Sequence, residues 1–259
     1  MAEASASGRL QSLPEVDLTG PLSVIADLHL DPFDEARCGR FADWTEGLPE
    51  PHLVVMGDLF DAWVGPAHER APGSRRVIAA FRSLADRGRV LVLQGNRDFL
   101  LGATFEEQSG ARVLPEGCVG TRPGGERVLL VHGDELCTKD LAYQRLRRVT
   151  HSRLVQWLGP RVPLAISGRI ARRMRRVSER AIAMKLPEEK AIQADAARAR
   201  AAAHDCATLV CGHVHEARDE ALDGGPRWLI LDAFGGRRDL LRVDATGLEL
   251  TSSGFRAHD

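Results

Sequence analysis

The chain has 259 residues, 44% of them hydrophobic and 27% charged, with a formal net charge of −1. That length can bury a substantial core in one large domain, or in a domain with an insertion, and the composition excludes wholesale disorder. No run of eighteen apolar residues offers a transmembrane helix, and the near-zero charge argues against a uniformly basic nucleic-acid coat protein.

Residues 1–20 are small and polar, without a basic start and apolar core, and read as a flexible leader rather than a secretory signal. Residues 22–26, 53–56 and 90–93 are short apolar runs bounded by turn residues, the pattern of buried strands. Between them, residues 34–47 and 74–88 have helical periodicity, the second stopped by glycine. Such alternation predicts an α/β sheet covered by helices. Residues 128–131 add a strand. Residues 141–204 show no strand pattern and read as several helices, broken near 159–163 and at Pro187. Residues 208–211, 227–231, 240–243 and 248–251 then read as strands of a second sheet. The expected organisation is a leader (1–20), a core (21–140 and 205–259) and a helical insertion or cap (141–204). Cys38, Cys118, Cys137, Cys206 and Cys211 are odd in number and lack CxxC spacing, so they read as reduced cytosolic thiols.

The polar residues collect at the carboxyl ends of the strands, where open α/β sheets place their ligands. The ends read Asp27-Leu28-His29, then Gly57-Asp58-Leu59-Phe60-Asp61, then Gly95-Asn96-Arg97-Asp98, then His132-Gly133-Asp134, and finally Gly212-His213-Val214-His215. A lone Asp-x-His or Gly-Asp is ordinary turn chemistry. Five strand ends in succession, all carrying oxygen or imidazole donors, instead predict a metal site. Imidazole with carboxylate and amide oxygen suits manganese, iron or zinc, and two ions about 3.5–4 Å apart would need a bridging carboxylate. Asp98 has two readings, orienting Arg97 or capping a helix.

These motifs, in this order, resemble the calcineurin-like metallophosphoesterases, whose pattern D-x-H, G-D-x-x-D, G-N-[HR]-[DE], H, G-H-x-H is complete here. The resemblance implies a four-layer αββα sandwich. It implies one metal on Asp27, His29, Asp58 and His215, and a second on Asp58, Asn96, His132 and His213, with Asp58 bridging. Longer stretches are similar to the UDP-2,3-diacylglucosamine pyrophosphohydrolases of lipid A biosynthesis. They run from Gly57 to Gly65, from Gly95 to Gly102 and from His132 to Asp140, with Tyr143-Gln144 following. That likeness implies cleavage of the pyrophosphate to UMP and 2,3-diacylglucosamine 1-phosphate by metal-bound hydroxide, with manganese as the usual ion. Asp58, Asn96, Arg97 and His213 would be catalytic, and Asn96, Arg97, Asp140, Tyr143, Ser178, Lys185 and His213 would contact substrate. Arg97 suits the task, since its planar fork matches phosphoryl oxygens. The chain departs from the pattern at Ile182, where a polar residue is expected. It departs again at Glu216, which with Ala217 replaces Arg-Pro, and at Phe234, where tryptophan or tyrosine is frequent.

Between Arg145 and Lys185 lie eleven arginines and one lysine against a single acid, Glu179, so this segment carries +11 and the remainder −12. Arg169, Arg172, Arg173, Arg176 and Arg180 follow one helical stripe beside the apolar Ile166, Ile170, Met174 and Val177. A solvated basic face over a core stripe would explain this. So would a cap resting on an anionic membrane while admitting acyl chains. Trp157 and Leu158 fit either an interfacial anchor or a core pair. The resemblance implies a UDP-linked diacylated lipid substrate and a peripheral enzyme on the cytoplasmic face of the inner membrane. Nucleic acid is not expected as a partner, because no basic strip is interleaved with aromatics. Other readings are a metallophosphoesterase for another nucleotide or phosphodiester, and a non-enzymatic scaffold; the full ligand set weighs against the latter.

Overall fold

Side-chain alternation along the strands sets the layering in the computed structural model, which describes residues 12–163, 169 and 185–256. Leu22, Val24, Val54 and Leu91 point one way, while Ile25, Leu53, Val55, Val90 and Val92 point the other. A strand that is apolar on both faces must be covered on both. One face packs on a second sheet and the other on helices.

The first sheet is six-stranded, in the order β12-β11-β2-β3-β4-β5. It contains β2 (Leu22–Ile25), β3 (His52–Val55), β4 (Val90–Leu93), β5 (Arg112–Leu114), β11 (Leu240–Val243) and β12 (Leu248–Thr251). The second has the order β1-β6-β7-β8-β10-β9. Its strands are β1 (Glu15–Asp17), β6 (Cys118–Thr121), β7 (Arg127–Leu130), β8 (Thr208–Cys211), β9 (Arg218–Ala221) and β10 (Arg227–Ile230). Leu130, Val210 and Leu229 of the second sheet meet Val24, Val54 and Leu241 of the first in the inter-sheet core. Helices α1 (Glu35–Glu46), α2 (Pro72–Ala85) and α3 (Ala103–Ser109) cover the first sheet through Phe41, Val77, Phe81 and Phe105. On the second sheet's outer face, Ala197 and Ala201 pack against Leu129, Leu209 and Trp228. The result is the αββα sandwich, with α4 (Leu141–Thr150), α5 (Arg153–Leu158), α6 (Pro187–Lys190) and α7 (Ala194–Ala203) between β7 and its parallel neighbour β8.

Local signals explain the helix ends. Asp34 accepts the Arg37 N–H at 2.9 Å and starts α1, and Pro72 starts α2 two residues ahead of the expected point. Ser152 caps α5, dividing it from α4 at a break that composition did not mark.

Two expectations are corrected. The leader does not extend to residue 20: Glu15–Asp17 pairs in parallel with β6, and Leu13, Val16 and Leu18 are buried. A three-residue edge strand is too short to show a period. The last two strands do not belong to the second sheet, since β11 lies antiparallel against β2 and carries β12 beyond it. Strand pattern reports a strand, not its partner. The arginine and apolar stripes of the cap lie outside the described residues apart from Arg169, as do Ser178 and Ile182.

Candidate metal centre

Strands β2, β3 and β4 are mutually parallel, as are β7 and β8 in the facing sheet, so their carboxyl ends can supply one site. Asp27 and His29 follow β2, Asp58 follows β3, Asn96 and Arg97 follow β4, His132 follows β7, and His213 and His215 follow β8. Asp27, His29, Asp58, His213 and His215 all have left-handed backbones, with φ of 55°, 46°, 49°, 70° and 54°. Each costs on the order of 1–2 kcal/mol for a side-chain-bearing residue, a strain tolerated where the surroundings enforce it.

Ligand atoms of Asp27, His29 and His215 lie within 4.8 Å of one another, and so do those of Asp27, Asp58 and His132. Asp27 is common to both groups, and Asp58 of the second also approaches the first, with one oxygen 3.7 Å from His29 Nδ1 and the other 3.9 Å from His132 Nε2. His29 Nε2 faces His215 Nε2 at 3.2 Å, and His132 Nε2 faces Asn96 Oδ1 at 3.1 Å. The His213 ring stands beside the second group, 5.1 Å from that of His132, and its backbone N–H donates to Asp27 Oδ2 at 2.7 Å. His132 Nδ1 lies 2.9 Å from the Met56 carbonyl, which fixes the ring and leaves Nε2 for the site.

The donor set fits divalent metal. Asp27 Oδ1 and His29 Nδ1 are buried with only long contacts, at 3.5 Å to His215 Nε2 and 3.7 Å to Asp58 Oδ2, a costly condition that an ion between them would relieve. The glycines of the motifs make room for ligands. A Cβ on Gly95 would stand 2.2 Å from Asp58 Oδ1, and one on Gly212 would stand 2.5 Å from Asp27 Oδ2.

Electrostatics in the metal-free protein tell the same story of crowded ligands. Burial pushes Asp58 up to about 7. Burial also works on Asp27, yet the His215 contact and the neighbouring imidazoles hold it at about 2. Burial depresses His29 to about 3 and His213 to about 4. His132 rises to about 9, because Asp58, Asp27 and Asp134 outweigh its burial.

Arg97 is aimed by Asp61, whose Oδ1 accepts from Nη1 at 2.6 Å, while its backbone N–H donates to Asp58 Oδ1 at 2.9 Å. Neither reading of Asp98 holds. It is fully buried and accepts the N–H groups of Gly95 at 2.7 Å and Phe60 at 3.3 Å, bracing the turn that presents Asn96. Asp61 closes the Gly57–Asp61 motif, which by itself gives it no role.

Of the expected substrate contacts, Asp140, Tyr143 and Lys185 meet at the start of α4 beside His213, while Ser178 lies outside the described residues. Asp140 caps α4 through the Tyr143 N–H and pairs with Lys185. The Tyr143 ring lies 6.2 Å from that of His213, but its hydroxyl is donated to Asp134. Glu216 is exposed and pairs with Arg218 at 3.1 Å. Phe234 is a core residue, stacked on Phe255 and packed edge-on against Phe41 and Trp44. Trp157 and Leu158 are not a core pair: they are 58% and 48% exposed.

The sequence profile described as calcineurin-like phosphoesterase matches residues 20–217. The UDP-2,3-diacylglucosamine hydrolase of Pseudomonas entomophila is 36% identical over 238 residues, covering 90% of this chain and 98% of the relative. Those of Ralstonia nicotianae and Chromobacterium violaceum are each 38% identical, over 245 and 231 residues. The first covers 90% of both chains, and the second covers 86% of this chain and 95% of the relative.

Proposed function

The chain belongs to the calcineurin-like phosphoesterase family, among its UDP-2,3-diacylglucosamine hydrolases, and we propose that it cleaves the pyrophosphate of UDP-2,3-diacylglucosamine to UMP and 2,3-diacylglucosamine 1-phosphate. The reading rests on one conjunction: likeness over nearly the whole length of those hydrolases, in a chain whose motif residues converge on two overlapping ligand groups. Asp27, His29, Asp58 and His215 would hold one divalent ion, and Asp58, Asn96, His132 and His213 the other, with manganese the proposed metal. Two such ions supply Lewis acidity toward phosphoryl oxygens and an activated water.

The protein's own groups do the rest. Asp61 fixes the Arg97 guanidinium beside Asp58, where it can meet the charge that builds on a phosphoryl oxygen in the transition state. Asp140 and Lys185 form a polar pair at the start of α4, suited to the sugar and phosphate end of the substrate. Along α4 and α5, Leu146, Val149, Leu154, Trp157 and Leu158 are exposed among Arg145, Arg148, Arg153 and Arg161. Apolar anchors among cations suit the anionic cytoplasmic face of the inner membrane, where a diacylated substrate resides.

The deciding assay measures UMP release from UDP-2,3-diacylglucosamine with manganese, against a simple phosphodiester as control. Turnover of the lipid nucleotide is expected. Good turnover of the diester with none of the lipid would overturn the assignment.

A further inference from the structure

Asp134 stands two residues after His132 and is only 2% exposed. A buried carboxylate requires partners, and α4 supplies most of them. The Tyr143 hydroxyl donates to it, and Arg147 Nε donates to it at 2.9 Å. The intervening Gln144 amide donates to the backbone carbonyls of Asp134 at 2.9 Å and Cys137 at 3.2 Å. Arg147 also extends Nη2 to Glu116 Oε2, at 3.2 Å, just ahead of β6. One side of α4 is thus bolted to the loop that carries a metal ligand, and Tyr143 in turn lies against the His213 ring. No atom of Asp134 belongs to either ligand group among the described residues, so the metals do not explain its burial.

We propose that Arg147 is a positioning residue which, through Asp134 and Glu116, seats α4 so that Tyr143 backs His213 and the Asp140–Lys185 pair faces the substrate. This deepens the reading of the site as a lipid-nucleotide hydrolase and rests on it. A buried ion pair contributes little net stability compared with apolar packing; the role assigned to this one is to hold α4 in a single geometry. Arginine has the fork this needs: two nitrogens of one rigid plane reach two carboxylates in different directions, which a lysine ammonium cannot reproduce. Tyr143 is reassigned by the same geometry, from a direct substrate contact to a ring held in place by its hydroxyl.

The test uses a property of the chain: Tyr143 is its single tyrosine. Full-length protein labelled with 3-fluorotyrosine gives one fluorine NMR resonance, which reports that ring alone. Arg147→Met is expected to move this resonance and to raise the KM for UDP-2,3-diacylglucosamine about tenfold or more, equivalent to about 1.4 kcal/mol, with a smaller change in kcat. Arg147→Lys, which keeps the charge but not the fork, should recover only part of the KM. Should Arg147→Met fail to fold around a stranded Asp134, the Asp134→Asn/Arg147→Met pair leaves that carboxylate's charge absent and is read in the same way. An unmoved resonance, or a loss confined to kcat, overturns the proposal. If the unaltered protein releases no UMP from this substrate, the substrate reading fails, and the resonance by itself decides the positioning claim.

Discussion

Replacing Asp98 with alanine isolates the carboxylate that shapes the Asn96–Arg97 turn. Its two oxygens accept buried N–H groups from Gly95 at 2.7 Å and Phe60 at 3.3 Å, tying the end of β4 to the loop after β3. Alanine leaves both donors without an acceptor, and each buried unsatisfied group costs about 1–3 kcal/mol, or about 2–6 kcal/mol together. Against a typical total of about 5–15 kcal/mol, that is a severe loss. Asparagine keeps one acceptor and carries no charge at a site where burial has pushed the carboxyl up to about 6. Its cost should therefore be about half that of alanine or less. Urea unfolding of the metal-free variants reads the difference, and metal titration should show the Asn96 side of the centre weakened in Asp98→Ala. A loss below about 1 kcal/mol in Asp98→Ala, with activity nevertheless abolished, would refute the bracing role and return Asp98 to orienting Arg97.

Asp58→Ala removes the carboxylate placed between both ligand groups, so metal stoichiometry should fall and turnover should drop on the order of a thousandfold or more; full activity would contradict the bridge. Metal binding should release protons and weaken as pH falls through about 9, and more steeply below about 7. Asp58 at about 7 and His132 at about 9 hold protons in the free site that a cation must displace, so rising pH favours the metal. Titration calorimetry in buffers of different ionisation enthalpy checks this, and proton-neutral binding at pH 6 would contradict it. Gly95→Ala places a methyl 2.2 Å from Asp58 Oδ1, so the loop must shift, at about 1–3 kcal/mol of stability and with weaker metal binding. Leu154→Glu/Trp157→Glu should lower cosedimentation with phosphatidylglycerol vesicles and leave the hydrolysis of a soluble phosphodiester unchanged; equal vesicle binding would rule out this face as the docking surface.

The amino-acid sequence determined the strand ends and the candidate ligands they carry, because that information is local. A short apolar run followed by glycine and a donor specifies both the strand and what its turn presents, as at Gly57-Asp58 and Gly95-Asn96. It also placed α1, since Asp34 and Gly47 bound it within the chain itself. Tertiary structure alone decided which sheet each strand joins: β1 and β11 find their partners about a hundred and two hundred residues away, and pairing at such range leaves no periodic trace in either strand. It likewise decided the supporting shell. Asp61 reaches Arg97, and Arg147 reaches Asp134 and Glu116, only because separate loops converge at the ends of the two sheets. The exposure of Trp157 follows from packing as well, since an apolar stripe in sequence does not say whether a neighbour covers it. Ligand identity is a property of short segments; ligand orientation is a property of the contacts among them.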